Sequence, residues 1–454
     1  MRADLLQLQA VIPGARLTAP AHIEGVSTNS QTIATGNLFV ALEGERFDAH
    51  DFLPAVATSG AAAVVARHVP DAYPLPALLV PDTRYALGQI AHWWRSRFAI
   101  PVIGVTGSNG KTTVKEMIAA ILEAQYGAGH YLSTRGNLNN EIGVPLTLFR
   151  LEDAHRAAVI ELGMNHPGEI ARLAEIAAPT VGLVNNAQRE HQEFMATVAA
   201  VAKENGAVIN ALADEGCAVF PADEEFTPLW QGHAAARRVV SFGLNNEASV
   251  HCTYVSHTFG STLEINAAGQ QLRVQLNAAG VHNVRNALAA CAATLAIGIA
   301  PATIVRGLEA FVPVAGRLQR KQAKNGALLI DDTYNANPDS VRAAIDVLAA
   351  APAPRTLVLG DMGEVGDEGV AFHQEIGAYA QTQQINQFFT LGTLARHASL
   401  AFGAGARHFD TMDQLNEAIS HIAANETVLV KGSRFMKMER VVQHLSGVAA
   451  TGGH

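Results

Sequence analysis

The stretch Gly104-Val-Thr-Gly-Ser-Asn-Gly-Lys-Thr-Thr113 decides how this chain is read. Before it, Pro101-Val-Ile-Gly-Val105 is a short apolar run suited to a buried strand, and after it Lys111 to Gln125 carries apolar residues at helical spacing. A glycine loop between a strand and a helix is a cradle for phosphate. Gly107 and Gly110 permit a tight turn, so that the backbone N–H groups of the loop, with Ser108, Asn109 and Thr113, can face phosphate oxygens. Lys111 supplies a point charge for the β- and γ-phosphates, and the Thr112 hydroxyl can ligate Mg²⁺. The spacing is the short G-x-x-G-K-T form, and it predicts a nucleoside triphosphate site.

Working outward, Ala157 to Gly163 and Val181 to Ala187 read as further buried strands with a helix between them at 168–178, the alternation of a parallel α/β sheet. Near 248–276 the period falls to two, with Leu272, Val274 and Leu276 alternating with Arg273 and Gln275, which predicts an antiparallel insert or edge. Beyond Gly316, strands at 327–334, 355–362, 387–392 and 426–433 alternate with helices at 339–350, 370–382, 412–423 and 435–446. This is a second, Rossmann-like doubly wound unit, whose ligands belong at the C-terminal ends of its strands. Upstream, 37–42, 61–66 and 77–80 are short strand-like runs that end in a helix carrying Trp93 and Trp94. The expected architecture is α/β with three domains: a smaller N-terminal α/β domain (1–98), a central phosphate-loop domain with a parallel sheet (99–315) and a C-terminal doubly wound domain (316–454). A length of 454 residues fits about three domains at ~150 residues each.

Composition excludes other classes. With 32 Lys plus Arg against 41 Asp plus Glu, a formal charge of −9 opposes a broad nucleic-acid sheath but not a small anionic ligand. Cys217, Cys252 and Cys291 lie 35 and 39 residues apart, which suits neither a zinc site nor a disulfide framework and points to a reducing compartment. No signal peptide is expected at the N-terminus. Ala287 to Val305 is uncharged but mostly alanine, with Gly298 and Pro301, so a buried helix and turn is expected rather than a membrane span. The chain reads as soluble.

Four further segments, Ser133-Thr-Arg-Gly-Asn-Leu-Asn-Asn-Glu-Ile-Gly-Val-Pro145, Asp331-Asp-Thr-Tyr-Asn-Ala-Asn-Pro338, Leu359-Gly-Asp-Met-Gly-Glu364 and Val430-Lys-Gly-Ser-Arg-Phe-Met-Lys437, follow the phosphate loop in order. Together with it they resemble the Mur ligase family, whose relatives include folylpolyglutamate synthetases, over nearly the whole chain. Their wording is similar to the branch that adds D-alanyl-D-alanine to UDP-N-acetylmuramoyl-tripeptide, with ATP, through an acyl phosphate. The resemblance implies a cytoplasmic enzyme with two Mg²⁺ ions and no nucleic acid or membrane partner, and a monomer is expected. It gives the N-terminal domain the uridine nucleotide and the C-terminal domain the acceptor dipeptide, closing on ATP.

The resemblance also implies roles for single residues. Lys111, Glu161, His191 and Lys203 are the candidate catalytic set, with Thr112, Glu161, His191 and Lys203, the last as a carbamate, holding metal. A lone loop histidine is otherwise a solvated or hydrogen-bonding residue, and a helix lysine is otherwise exposed. The family's usual Ala-His-Leu-Glu here reads Glu190-His191-Gln192-Glu193, and Asn205 follows Lys203-Glu204 where a small residue is usual. Thr28-Asn29-Ser30-Gln31 stands for a family Asp-Ser-Arg turn without its charges, leaving Ser30, with Asp48 and His50, for the uridine nucleotide, or the turn merely caps a strand. Asn137, Asn139 and Asn140 offer amides to the muramoyl-peptide, although asparagine-rich turns are also common as structure. His282 and Asn283 cap the next helix and contact adenine or position the loop. Arg317 reaches ATP from the domain junction, and Asp331 and Asn335, beside Tyr334, suit ribose and adenine. Asn337, Lys431, Ser433 and Arg434 face the substrates from the last domain, or the basic ones are solvated. Two other readings remain: a sister ligase for a different amino acid, whose Asp-Asn-Pro-Arg motif is missing, and a phosphate-loop switch, for which Glu161 stands where an aspartate is usual.

Overall fold

A computed structural model describes residues 1–44, 47–190, 192–195 and 197–448. Three main sheets organise it. The first has five short strands in the order Arg16–Leu17, Ala77–Leu79, Ala63–Ala66, Leu38–Val40, Val26–Ser27, parallel except at the Arg16–Leu17 edge. The second has nine, running from Gln270–Leu276 through Gly260–Ala267, Val250–His257, Arg238–Gly243, Cys217–Pro221, Val181–Val184, Val102–Thr106 and Ala157–Glu161 to Tyr131–Ser133. From Val250–His257 to Tyr131–Ser133 it is parallel, and the three strands between 250 and 276 are antiparallel. Of the expected antiparallel insert or edge, the structure shows the edge: these strands extend the main sheet.

The third sheet has six strands in the order Gln319–Gln322, Leu328–Asp332, Thr427–Lys431, Arg355–Gly360, Gln387–Leu391, Ala406–Phe409. Its four inner strands match the sequence reading. The edge strands Gln319–Gln322 and Ala406–Phe409, and the helix Ala395–Phe402, do not appear in that reading. Both edge strands are four residues long and carry charge, Arg320 and Lys321 in one and Arg407 in the other, so their composition resembles loop. The alanine-rich segment from 287 is buried as expected: helix Val281–Ala296 ends before Gly298, and Pro301 opens helix Pro301–Ala310. Among the described residues, no helix is long and apolar enough to cross a membrane.

The three units are joined in two different ways. Helix Thr83–Arg95, capped by Asp82, packs its buried Leu87, Ile90 and Ala91 into a cluster that runs without a break from Leu38 and Val40 to Leu148, Leu173 and Ile176. Arg95 seals this junction from beneath, its buried guanidinium donating to the carbonyls of Phe98, Ile100, Ala177 and Ala178. The last sheet instead has a core on each face, one of them touched by Ala279 and Phe259 of the central unit, and is otherwise joined to the rest by polar contacts such as those of Arg317, Asn337 and Arg189. Arg95→Met leaves four carbonyls without a donor and should destabilise the protein by about 3 kcal/mol, read as a lower urea midpoint at an unchanged m-value.

Candidate active site

A cleft of about 1460 Å³ lies between the central and last sheets, at the C-terminal ends of their parallel strands. The phosphate loop forms its floor. Gly107 and Gly110 take φ of +132° and +82°, and a Cβ at Gly110 would collide with Asn286 Oδ1. Gly110 is the N-cap of helix Lys111–Tyr126 and no side chain caps it, so the first N–H groups of that helix remain for a ligand. Amides hold the loop from behind. Asn205 Oδ1 accepts from Gly107 N–H at 3.0 Å, Asn186 Oδ1 from Asn109 N–H at 2.9 Å, and the Asn185 amide bridges Asn109 O and Asn286 Oδ1.

Lys111 folds back over the loop, its ammonium donating to Gly107 O at 2.6 Å, Ser108 O at 3.0 Å and Glu190 Oε1 at 3.0 Å. Beside it, Glu161 is only 2% exposed at the end of its strand. Its Oε1 accepts from Thr112 Oγ1 at 3.2 Å and Asn139 Nδ2 at 2.9 Å, while Oε2 is buried with no hydrogen-bond partner. A buried carboxylate oxygen without a partner, next to a hydroxyl and facing a phosphate cradle, suits a hard cation that keeps some waters and takes phosphate oxygens. The described residues contain no group of three or more His, Cys, Asp or Glu that could hold a metal by themselves.

Several expected residues do meet here. Ser108 to Thr113, Glu161, Asn137, Asn139, Asn140, His282, Asn283, Arg317, Asn335, Asn337, Lys431, Ser433 and Arg434 all border the cleft. Their local roles differ. Asn140 Oδ1 accepts from Ile142 and Gly143 N–H, so it shapes its turn, whereas Asn139 supports Glu161. Arg317 donates to Thr112 Oγ1 at 3.0 Å with its guanidinium stacked 4.1 Å over Tyr334. Lys431 is buried, not solvated; Asp332 Oδ2 neutralises it at 2.6 Å, and Asn335 O accepts a second hydrogen bond from it at 2.9 Å. Asn337 caps helix Pro338–Ala349 and exchanges amide hydrogen bonds with Asn109. Ser433 accepts from Gly363 N–H, and Arg434 pairs with Glu439. Burial lowers the His282 pKa to about 4, leaving a neutral ring at the cleft. The cap of its helix is Gly280, not His282 or Asn283, and Asn283 bonds Ala279 O and Asn286.

Other expectations need correcting. Lys203 lies in the last turn of helix Val198–Asn205, is exposed and does not border the cleft, so a carbamate there has no place at the metal site. Two positions on, Asn205 sits on the opposite side of the helix, 1% exposed and bonded to the phosphate loop. His191 lies outside the described residues. Asp331 is buried away from the cleft lining, held by Lys321 Nζ at 2.6 Å and the Thr333 hydroxyl, and its neighbour Asp332 is the one that faces in. Ser30, Asp48 and His50, expected to hold the uridine nucleotide in the first unit, do not line this cleft, and that expected role does not require them to. Both His50 nitrogens are engaged, Nδ1 with Asp48 and Nε2 accepting from Arg67 N–H, so this pair braces its own fold. The sequence reading missed Asn185, Asn186, Glu190, Asn205, Glu224 and Asn286. The first two lie directly after a strand already assigned to the sheet, which is the signal that could have found them.

This fold and floor define a phosphate-loop nucleotide enzyme with three α/β units. Two family models match, the Mur ligase middle domain at residues 105–294 and the Mur ligase, glutamate ligase domain at 316–434. The chain is 40% identical over 450 residues to the UDP-N-acetylmuramoyl-tripeptide–D-alanyl-D-alanine ligase of Escherichia coli (strain K12), covering 97% of this chain and 98% of that one. A crystal structure of MurF from Acinetobacter baumannii superposes with a TM-score of 0.92 at 33% identity over 99% of both chains. MurF ligase from Thermotoga maritima, solved in complex with ADP, gives 0.85 at 26% identity over 93% of this chain and 97% of that one. The chain belongs to the Mur ligase family.

Two predictions follow from these placements. Lys203→Ala should keep turnover within about twofold and gain nothing from added short carboxylates, while Asn205→Ala should lose about tenfold, both read as phosphate release. Burial raises the cleft-facing Glu224 carboxyl to about 7 from 4.5. Its stability contribution is complete below pH 4.5 and is lost as pH rises through 7, so thermal unfolding of Glu224→Gln should gain about 1–3 kcal/mol relative to the parent between pH 4.5 and pH 8.

Proposed function

We propose that the cleft joins the terminal carboxylate of UDP-N-acetylmuramoyl-tripeptide to the amine of D-alanyl-D-alanine, using ATP. The chain is an ATP-dependent ligase that forms a C–N bond and serves peptidoglycan synthesis. The observation that carries the cleft reading is the pairing of an uncapped phosphate-loop helix and Lys111 with the unpartnered Glu161 Oε2. In this reading residues 99–315 bind ATP, 1–98 hold the uridine end of the nucleotide-linked peptide, and 316–454 present the acceptor and close over the cleft.

Lys111 transfers its ammonium from Glu190 to the β- and γ-phosphates as they arrive. Thr112 and Glu161 would hold Mg²⁺, which supplies charge neutralisation on the transferring phosphoryl group. A peptide carboxylate oxygen attacks the γ-phosphorus and ADP leaves, giving an acyl phosphate. The acceptor amine, having lost its proton, attacks the acyl carbon, and phosphate departs. Arg317, stacked on Tyr334 and touching Thr112, carries the last domain to the phosphates. The neutral His282 borders the same cleft and offers it hydrogen bonding without charge. Closure keeps water from the acyl phosphate. In this reading the enzyme works in the cytoplasm, alongside its nucleotide-linked substrate, and as a monomer.

Phosphate release with ATP, Mg²⁺, UDP-N-acetylmuramoyl-tripeptide and D-alanyl-D-alanine should require all four, with a UDP-linked pentapeptide found by mass spectrometry. Release indifferent to the dipeptide would overturn the acceptor assignment in favour of a sister ligase.

A further inference from the structure

The loop after strand Val181–Val184 touches both moving parts of the cleft. On its inner side, Gln188 bonds the Ser108 hydroxyl and the Asn109 amide, and Glu190 pairs with Lys111. Between them, Arg189 turns outward to the last domain. Its Nη2 donates to Asp339 Oδ1 at 2.6 Å, its backbone N–H to Asp339 Oδ2 at 2.9 Å, and Nη1 and Nη2 to Glu375 at 2.7 and 3.1 Å. Asp339 opens helix Pro338–Ala349 and Glu375 lies in helix Gly369–Thr382, so one guanidinium spans two helices of the last domain from a loop of the central one. Phe372 lies under the guanidinium at 5.3 Å, and Arg342 shares Glu375. Each side chain is about a quarter to a third exposed, so the ion pairs are partly desolvated and bidentate. The carboxylates hold Arg189 firmly protonated.

We propose that Arg189 is a positioning residue that latches the last domain against the phosphate loop, making the loading of that loop felt by the domain that carries the acceptor. Among the described residues, the hydrophobic clusters cross this junction only where Ala279 and Phe259 of the central unit meet one core of the last sheet, so Arg189 carries a large share of the remaining contact. Its flanking residues, Gln188 and Glu190, are bonded to the side chains that phosphate will engage, so occupancy of the loop acts on the latch through two neighbouring peptide units. The inference rests on the reading of 316–454 as the closing, acceptor-binding domain, and its first measurement does not require ligation.

Small-angle scattering of the full-length, nucleotide-free enzyme should show a larger radius of gyration for Arg189→Met than for the parent, with Arg189→Lys between them because a point charge cannot span two carboxylates. Since apparent affinity falls with the fraction of competent enzyme, KM for D-alanyl-D-alanine should rise about tenfold while kcat stays within about twofold. Glu375→Gln should give part of the same expansion, and adding Arg189→Met to it should give less than the sum of the two. Unchanged scattering in both Arg189→Met and Glu375→Gln would overturn the latch, as would a fall in kcat at constant KM. If Arg189→Met does not fold, Glu375→Gln decides alone by the same two readouts. A scattering change without dipeptide-dependent turnover keeps the latch and rejects the acceptor assignment instead.

Discussion

Gly107 and Gly110 free the backbone to curl around phosphate, and a freed backbone has to be held by something else. Here neutral amides hold it. Asn185, Asn186 and Asn205, with Asn286 behind them, tie the loop to the neighbouring strand and helices without bringing a charge near it. An amide donates and accepts at once, so it fixes a turn in shape while leaving its electrostatics to other residues. The loop therefore keeps its form before nucleotide arrives, and the uncapped N-terminus of helix Lys111–Tyr126 is preset rather than assembled. Everything else in the cleft is arranged around that fixed floor.

The two junctions follow different physics. Between the first and central units, apolar surface is continuous from Leu38 to Ile176 and Arg95 is spent on carbonyls, so separation would expose both. Between the central and last units the contacts include Arg189 with Asp339 and Glu375, Asn109 with Asn337, and Arg317 with Thr112, beside a small apolar patch at Ala279 and Phe259. Water can replace such contacts at modest cost, which suits the closing motion proposed for the last unit.

The phosphate loop, the parallel order of the strands and the last doubly wound unit were legible because each is written in a short local pattern: glycine spacing, apolar runs, helical period. The errors arose where one residue's direction mattered. In Asp331-Asp332 the sequence offers two identical side chains on opposite faces of a strand, and only the register with Thr427–Lys431 decides which meets the cleft. Lys203 and Asn205 pose the same problem on a helix, where two residues of spacing reverse the face. The hydrogen bonds of His50 could not be read in advance, because its partners, Asp48 and the N–H of Arg67, meet it only after the turn has formed. The amide scaffold was invisible for another reason: asparagines far apart in sequence become one network only when the strands Val102–Thr106 and Val181–Val184 pair.

Both lysines of the cleft are already paired, Lys111 with Glu190 and Lys431 with Asp332. An unpaired ammonium in so buried a cleft would cost several kcal/mol or give up its proton, and either would spoil a phosphate site. The internal carboxylates keep these groups charged and in place, but an arriving phosphate must then outcompete them. A triphosphate carries more charge than one carboxylate and also reaches the helix N-terminus, so it can win Lys111, whereas a lone inorganic anion gains less. Pairing thus serves as a threshold. It keeps the site intact when empty and reserves its cations for a ligand large enough to span the loop, the helix end and the lysine together.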